Sequence, residues 1–266
     1  MRPRLLPGAA TLRSLGTGAL GLLGLVALWW AAALTVLSGA RVPTPDGVVS
    51  SAIDDGWSFY SLHFAMTLQE AAVGFGYGTG AAVLLASVVL LLPAAEQLIM
   101  QVAVVTYCVP LVAIAPVLFI VIGNPDEGQR SGTATALAAL SVFFTTVVGT
   151  VLGLRSADRA SLDVVSVFGG GRLRQLVTVQ LVAALPSLLA ALRIGAPAAF
   201  LGAILGEYVG GVQRGVALVL KIAQQNVDVE QAWAVGIGCA LVAGFFYGLF
   251  GLVARVVTPW SKGAVA

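Results

Sequence analysis

Six apolar runs follow one another along this chain, at about 14–38, 63–92, 97–122, 133–153, 183–205 and 232–254. A hydrocarbon core about 30 Å thick is crossed by about 20 predominantly apolar residues in a helix, and a helix satisfies its own backbone polar groups inside lipid. Of the 266 residues, 59% are hydrophobic and 10% charged; the charged share is roughly 0.4 times that of an ordinary soluble domain. A single soluble core cannot bury so much apolar surface, so the expected fold is an all-α polytopic membrane protein with about six transmembrane helices. Three segments follow: 1–60, holding the N-terminal stretch, the first helix and the loop after it; 61–256, a core of five further helices; and a tail at 257–266.

The first run carries no charge and is preceded by Arg2, Arg4 and Arg13, a pattern shared by signal anchors and cleaved signal peptides. Its length exceeds the 7–15 apolar residues usual for a signal-peptide core, which favours a retained span, while the Ser-Gly-Ala sequence ending at Ala40 keeps cleavage as the other reading. Pro110 and Pro116 lie inside the third run. Proline removes a backbone donor and should kink or break a membrane helix, and such breaks in transporters often sit near the substrate path. Both prolines are therefore candidates for the translocation path.

Basic residues set the expected orientation. With a cytoplasmic N-terminus, the inner segments hold nine (Arg2, Arg4, Arg13, Arg155, Arg159, Arg172, Arg174, Arg255, Lys262) and the outer segments four (Arg41, Arg130, Arg214, Lys221). The positive-inside rule places both termini and the loop at 153–182 in the cytoplasm. The protein is expected in a bacterial inner membrane, passing through it several times.

Catalytic and metal chemistry find little support. Cys108 and Cys239 lie in apolar runs without a CxxC or Cys/His pairing, and His63 is the single histidine, which removes HExxH and every multi-histidine site. Gly169–Arg172 reads GGGR, but the two lysines, Lys221 and Lys262, complete no GxxxxGK[ST] motif. No Gly-x-Ser-x-Gly turn accompanies His63.

The long loop after the fourth run draws the functional reading. Residues 157–168 can form a short helix, with Ser156 or Asp158 as N-cap and Gly169 as a left-handed stop. Leu162, Val165 and Phe168 recur every three residues and give it an apolar face outside the membrane. An apolar face in water needs a partner: the chain's own helices, the lipid surface, or a groove on another protein.

At these residues the chain resembles the permease subunits of binding-protein-dependent ATP-binding-cassette importers. Asp163, Val164 and Val165 stand where that family has Glu-Ala-Ala, and Gly169 stands at its motif glycine. Leu185-Pro186 matches the second of two Leu-Pro pairs seen in the sulfonate, taurine and nitrate type, the first reading Leu181-Val182 here. Thr67-Leu68 at the second span, Val109–Pro116 in the third, and Glu207 after Leu201-Gly202 continue the likeness from about residue 60 to 255. The acidic residue is shortened, both alanines are valine, and one proline is lost.

The resemblance implies a non-catalytic subunit without cofactor, whose partners are a P-loop ATPase dimer that binds the ATP, a second permease subunit identical or homologous, and an extracytoplasmic solute-binding protein. It implies a cytoplasmic coupling helix between spans 4 and 5, in which Leu162, Val165 and Phe168 are buried contacts, Asp163 a polar anchor and Gly169 the turn that sets the helix angle. Arg172, with Arg174, would meet acidic groups on the ATPase or anionic lipid headgroups. Glu207 joins Pro110 and Pro116 as a path candidate, and the solute would be a small organic anion such as a sulfonate, taurine or nitrate. An ion-gradient-driven secondary transporter is the alternative; it calls for charged residues near span centres and an internal repeat. Two further signals stay open. The GxxxG spacings at Gly74–Gly80 and at Gly244 and Gly248 fit close helix packing or a passage lined by small residues, and Glu70 and Arg193 lie near expected helix ends, where long side chains snorkel to water.

Overall fold

A computed structural model describes residues 9–35 and 41–263, with side chains from 16 to 35 and from 41 to 261. Arg2, Arg4 and the Ser-Gly-Ala sequence ending at Ala40 fall outside the described residues. Ten α-helices occur among the described residues: α1 (Ala9–Leu34), α2 (Pro45–Leu91), α3 (Glu96–Cys108), α4 (Leu111–Ile122), α5 (Gly132–Arg155), α6 (Arg159–Val167), α7 (Arg172–Gln175), α8 (Leu181–Val209), α9 (Val216–Asn226) and α10 (Val229–Val257). No strand accompanies them among those residues. A wider π-type turn, Leu176–Gln180, carries α7 into α8.

Five helices or helix runs are long and apolar enough to cross a bilayer: α1, α2, α5, the run Arg172–Val209 that ends in α8, and α10. The third apolar run is broken. Its α3 and α4 halves meet at a 98° bend at Val109 and Pro110, both extended, whereas Pro116 is accommodated inside α4. Of the two expected breaks, the chain makes one. The halves nonetheless bridge opposite ends of α5: Glu96, opening α3, pairs with Arg155, closing α5, at 2.5 Å, while Ile122, closing α4, packs over Gly132 at the start of α5. Because the pair runs the length of α5, it counts as a sixth candidate crossing.

The polar stretch before the second span is also helical, which hydrophobic periodicity alone did not reveal. Pro45 occupies the first turn, where its missing N–H costs nothing, and the helix continues through a kink at Gly56 (φ 77°). Asp55 holds this segment to α10 by accepting from Gln231 Nε2 at 3.0 Å, and it also accepts from the Tyr60 hydroxyl.

Helix α5 sits at the centre, between α8 and α2. Small residues make the approach close: a Cβ at Gly74 or Gly78 would strike the α5 backbone at Thr135 or Ala139, and one at Gly202 or Gly206 would strike it at Leu137 or Ala134. Close backbone contact is how helices gain packing in lipid, where burial from water gives no drive. By contrast Gly76, Gly80, Gly244 and Gly248 face open space, so of the glycines in Gly74–Gly80 and the Gly244 and Gly248 pair, Gly74 and Gly78 are the packed ones. Helices α1 and α10 lie at the edge and are largely exposed, tied together by the stacked rings of Trp29 and Trp233, 5.1 Å apart.

Candidate functional site: the α6 surface and a buried carboxylate lattice

Two features stand at opposite ends of α5. At the Arg155 end, α6 projects from the bundle. Asp158, extended at its N-terminus, begins it, and the end is closed by Gly169 N–H donating to Ser166 O and Gly170 N–H to Val165 O, at 2.9 and 2.8 Å. Gly169 has φ 75°, a left-handed conformation that glycine adopts without a Cβ penalty. The Gln175 amide of α7 donates to Leu162 O and Ser166 Oγ, at 3.1 and 2.8 Å, clamping α6 against α7.

That clamp decides which face is offered outward. Leu162 and Val165 are half-buried toward the chain, with Val165 against Gly170. Val164, Val167 and Phe168 point away, at 55, 85 and 80% exposure, followed by exposed Leu173 and Val177. Asp163, Arg172 and Arg174 are exposed beside them. An apolar patch of this kind, rimmed by charges of both signs, has the composition of a protein-docking surface. Val164 and Val167 could have been found in the sequence, since they fall on one helical stripe with Phe168; the three-residue spacing of Leu162, Val165 and Phe168 drew attention to a different stripe.

At the Ser131 end, four helices meet in a buried polar lattice. Glu70 of α2 and Glu207 of α8 are 0 and 1% exposed, and Glu70 Oε2 is buried without a hydrogen-bond partner. The Thr67 hydroxyl donates to Glu207 Oε1 at 2.5 Å and accepts from Val216 N–H at 2.9 Å. Ala217 N–H donates to Glu207 Oε2 at 2.9 Å, and Ser131 N–H to Glu70 Oε1 at 2.6 Å. His63 Nδ1 accepts from Gly215 N–H at 3.1 Å. Each carboxylate thus faces the start of a helix, Glu207 that of α9 and Glu70 that of α5, where unpaired N–H groups and the helix dipole favour negative charge. Gly215, at φ 144°, packs so closely on the Glu207 carboxylate that a Cβ would meet it at 2.5 Å.

Glu70 therefore does not snorkel as its place near a helix end suggested; it turns inward. Glu207 is buried and tied internally to Thr67 and Ala217. Pro110 and Pro116 are exposed on the broken third crossing. Arg193 lies within α8 against α10, its guanidinium 4.0 Å over the Tyr247 ring and seated on Gly251. Among the described residues no three His, Cys, Asp or Glu side chains converge as a metal site.

Glu207→Ala would orphan the Ala217 N–H and leave the Thr67 hydroxyl only its weaker bond to His63 O as donor. A buried group stripped of its partner costs about 1–3 kcal/mol, so the variant should unfold well below wild type in detergent melts. Glu207→Gln, which keeps one carbonyl acceptor, should lose less than half as much. Equal melting of Glu207→Ala and wild type would remove the lattice from the stabilising interactions.

The outward apolar helix α6 lies between two long apolar helix runs, α5 and Arg172–Val209. Residues 74–263 match the family of binding-protein-dependent transport system inner membrane components. The chain belongs to that family. It is thus a multi-pass permease subunit of an ATP-binding-cassette transporter. Its relatives include the riboflavin transport system permease protein RibX of Chloroflexus aurantiacus, 30% identical over 62% of this chain and 60% of that one. The formylaminopyrimidine transport permease protein ThiX of Halalkalibacterium halodurans is 23% identical over 90% of this chain and 93% of its own length. A putative aliphatic sulfonates transport permease protein, SsuC of Bacillus subtilis, is 27% identical over 90% and 85%. The match to the riboflavin permease therefore spans less than two thirds of that relative.

Proposed function

We propose that this permease imports a small solute, pairs with a second permease subunit to complete the path, and is driven by a separate P-loop ATPase that binds the ATP and docks on α6. The observation that carries this reading is the exposed apolar stripe Val164, Val167 and Phe168 on a clamped helix. A stiff helix with one such face passes force from a partner into the span that follows it, provided its contacts differ between two states. Here that span is α8, which packs along α5 and carries the tie to α9.

Orientation follows the basic residues, with the α6 end of the bundle and both termini in the cytoplasm. An extracytoplasmic binding protein delivers the solute at the Ser131 end. Relatives named for riboflavin, formylaminopyrimidine and aliphatic sulfonates support a small organic molecule, which is either an organic anion of the sulfonate, taurine or nitrate kind or an uncharged ring compound.

Affinity isolation of the tagged chain from native membranes in mild detergent, followed by mass spectrometry, tests the assembly. The expected result is recovery of a P-loop ATPase and of a permease subunit, tagged or homologous. Absence of any ATPase, under conditions that keep a known importer intact, overturns the proposal.

A further inference from the structure

The buried lattice at the Ser131 end brings two acids together without a base. Thr67 and Glu70 stand three residues apart on α2, a spacing that places them on one helix face, and the Thr67 hydroxyl reaches Glu207 Oε1 at 2.5 Å. Glu70 and Glu207 therefore share one side of the α2–α8 contact, each within electrostatic reach of the other. No basic side chain pairs with either carboxyl among the described residues; the ion pair found there is Glu96–Arg155, at the far end of α5. Arg130 lies toward Glu70 and Arg214 toward His63, both exposed to water. His63 Nδ1 accepts from Gly215 N–H, so that nitrogen has no proton to give, and Cys239 of α10, on the Glu207 side, is a partly buried thiol. Two like charges without a counter-ion are not held in so dry a site; such a pair keeps a proton between its members.

The hydrogen-bond donors decide where the negative charge stays. Glu207 accepts at both oxygens, from the Thr67 hydroxyl and from Ala217 N–H, and it is the cap that α9 lacks, since the N-cap residue of that helix is Gly215. Helix α5 caps itself, Ser131 Oγ accepting from Ala134 N–H at 3.2 Å. Glu70 accepts at Oε1 from Ser131 N–H, while its Oε2 is buried without a partner. An ionised carboxylate only accepts, whereas its protonated form also donates, so a proton on Oε2 gives that oxygen a bond and takes none away. The N–H groups of Ser131, Val216 and Ala217 point into the lattice, and among the described residues no three His, Cys, Asp or Glu side chains converge. A metal ion would be short of oxygen ligands here.

We propose that the Glu70–Glu207 pair is a proton-binding site, with one resident proton carried on Glu70 Oε2 and donated to an ionised Glu207. The proton joins two separate ties into one chain of hydrogen bonds, from Ser131 at the start of α5 through both carboxyls to Ala217 at the start of α9. This site lies at the opposite end of α5 from α6, so its test is independent of the docking surface.

Infrared absorption of the purified full-length chain in detergent at neutral pH, taken as the difference between wild type and Glu70→Gln, should contain a protonated-carboxyl C=O band that shifts in D2O. Absence of that band from the difference overturns the proposal. Melting of the same samples places the proton. Glu70→Gln keeps a carbonyl for Ser131 N–H and an amide N–H for Glu207, and should melt within about 3 °C of wild type. Glu207→Gln removes the charge that caps α9 and should melt below Glu70→Gln. An equal or reversed order, or failure of Glu70→Gln to accumulate as a folded chain, overturns the assignment of the proton to Glu70. Replacing a bulky organic cation by sodium should leave wild-type melting unchanged; a rise that disappears in Glu70→Gln overturns the proton in favour of a bound metal ion.

Discussion

Replacing Val164 and Phe168 together by aspartate should leave the permease in the membrane at wild-type abundance and strip it of the ATPase proposed to dock there. Both side chains are exposed, at 55 and 80%, so the substitutions disturb little of the chain's own packing, and surface changes of this kind usually shift stability within about 0.5 kcal/mol. In the assembly, the same positions would be buried in the partner's groove, where apolar anchors at an interface centre are worth about 2–4 kcal/mol each. Two unpaired carboxylates there should weaken association by a factor of about 1,000 or more, enough to abolish co-purification and ATP-driven uptake together. Leu162→Asp is the informative control. Leu162 is half-buried under the Gln175 clamp, so its charge should lower membrane abundance before it affects docking. Should the double variant retain its ATPase and its uptake, α6 is not the docking surface.

Gly206→Val should prevent the bundle from closing. A Cβ at this position would collide with the Ala134 backbone on α5 and lie 3.0 Å from the Thr133 carbonyl carbon, and a backbone held in a helix cannot step aside as a flexible side chain can. Overpacking costs about 1–3 kcal/mol and occasionally more; a direct backbone clash belongs at or above the upper end, about 3 kcal/mol, which lowers the melting temperature by about 10 °C in a chain of this size. The position is doubly sensitive because Glu207 is the next residue and Ser131, whose N–H donates to Glu70, begins the facing helix. Gly76→Val serves as the comparison, since nothing lies within 4 Å of a Cβ there. Size-exclusion profiles after heating should show early loss of the Gly206 variant and near wild-type behaviour of the Gly76 variant. Equal melting of the two would mean that α5 and α8 separate more easily than their packing indicates.

The membrane plan of this protein was legible along the chain because it depends on run length and charge, both of which are local. Six apolar runs, a proline break in the third and the glycine turn at Gly169 each follow from a residue's own backbone or from the cost of its neighbours in lipid, although Pro110 and Pro116 looked alike and only Pro110 breaks the helix. Helical periodicity also showed that the segment after the fourth run is amphipathic. It could not show which stripe would be covered, since that depends on the Gln175 side chain reaching back from α7 to Leu162. Burial of Glu70 and Glu207 was equally out of reach. A carboxylate near a helix end has water available along its own helix, and the start of α5, 61 residues along the chain from Glu70, and the start of α9, folded back ten residues after Glu207, make the inward direction favourable. The glycine spacings were alike at Gly74–Gly80 and at Gly244 and Gly248, yet of these glycines it is Gly74 and Gly78 that meet α5. The sequence determined where the helices cross and break; the tertiary structure decided which faces meet, because a face is defined by its neighbour and not by its own residues.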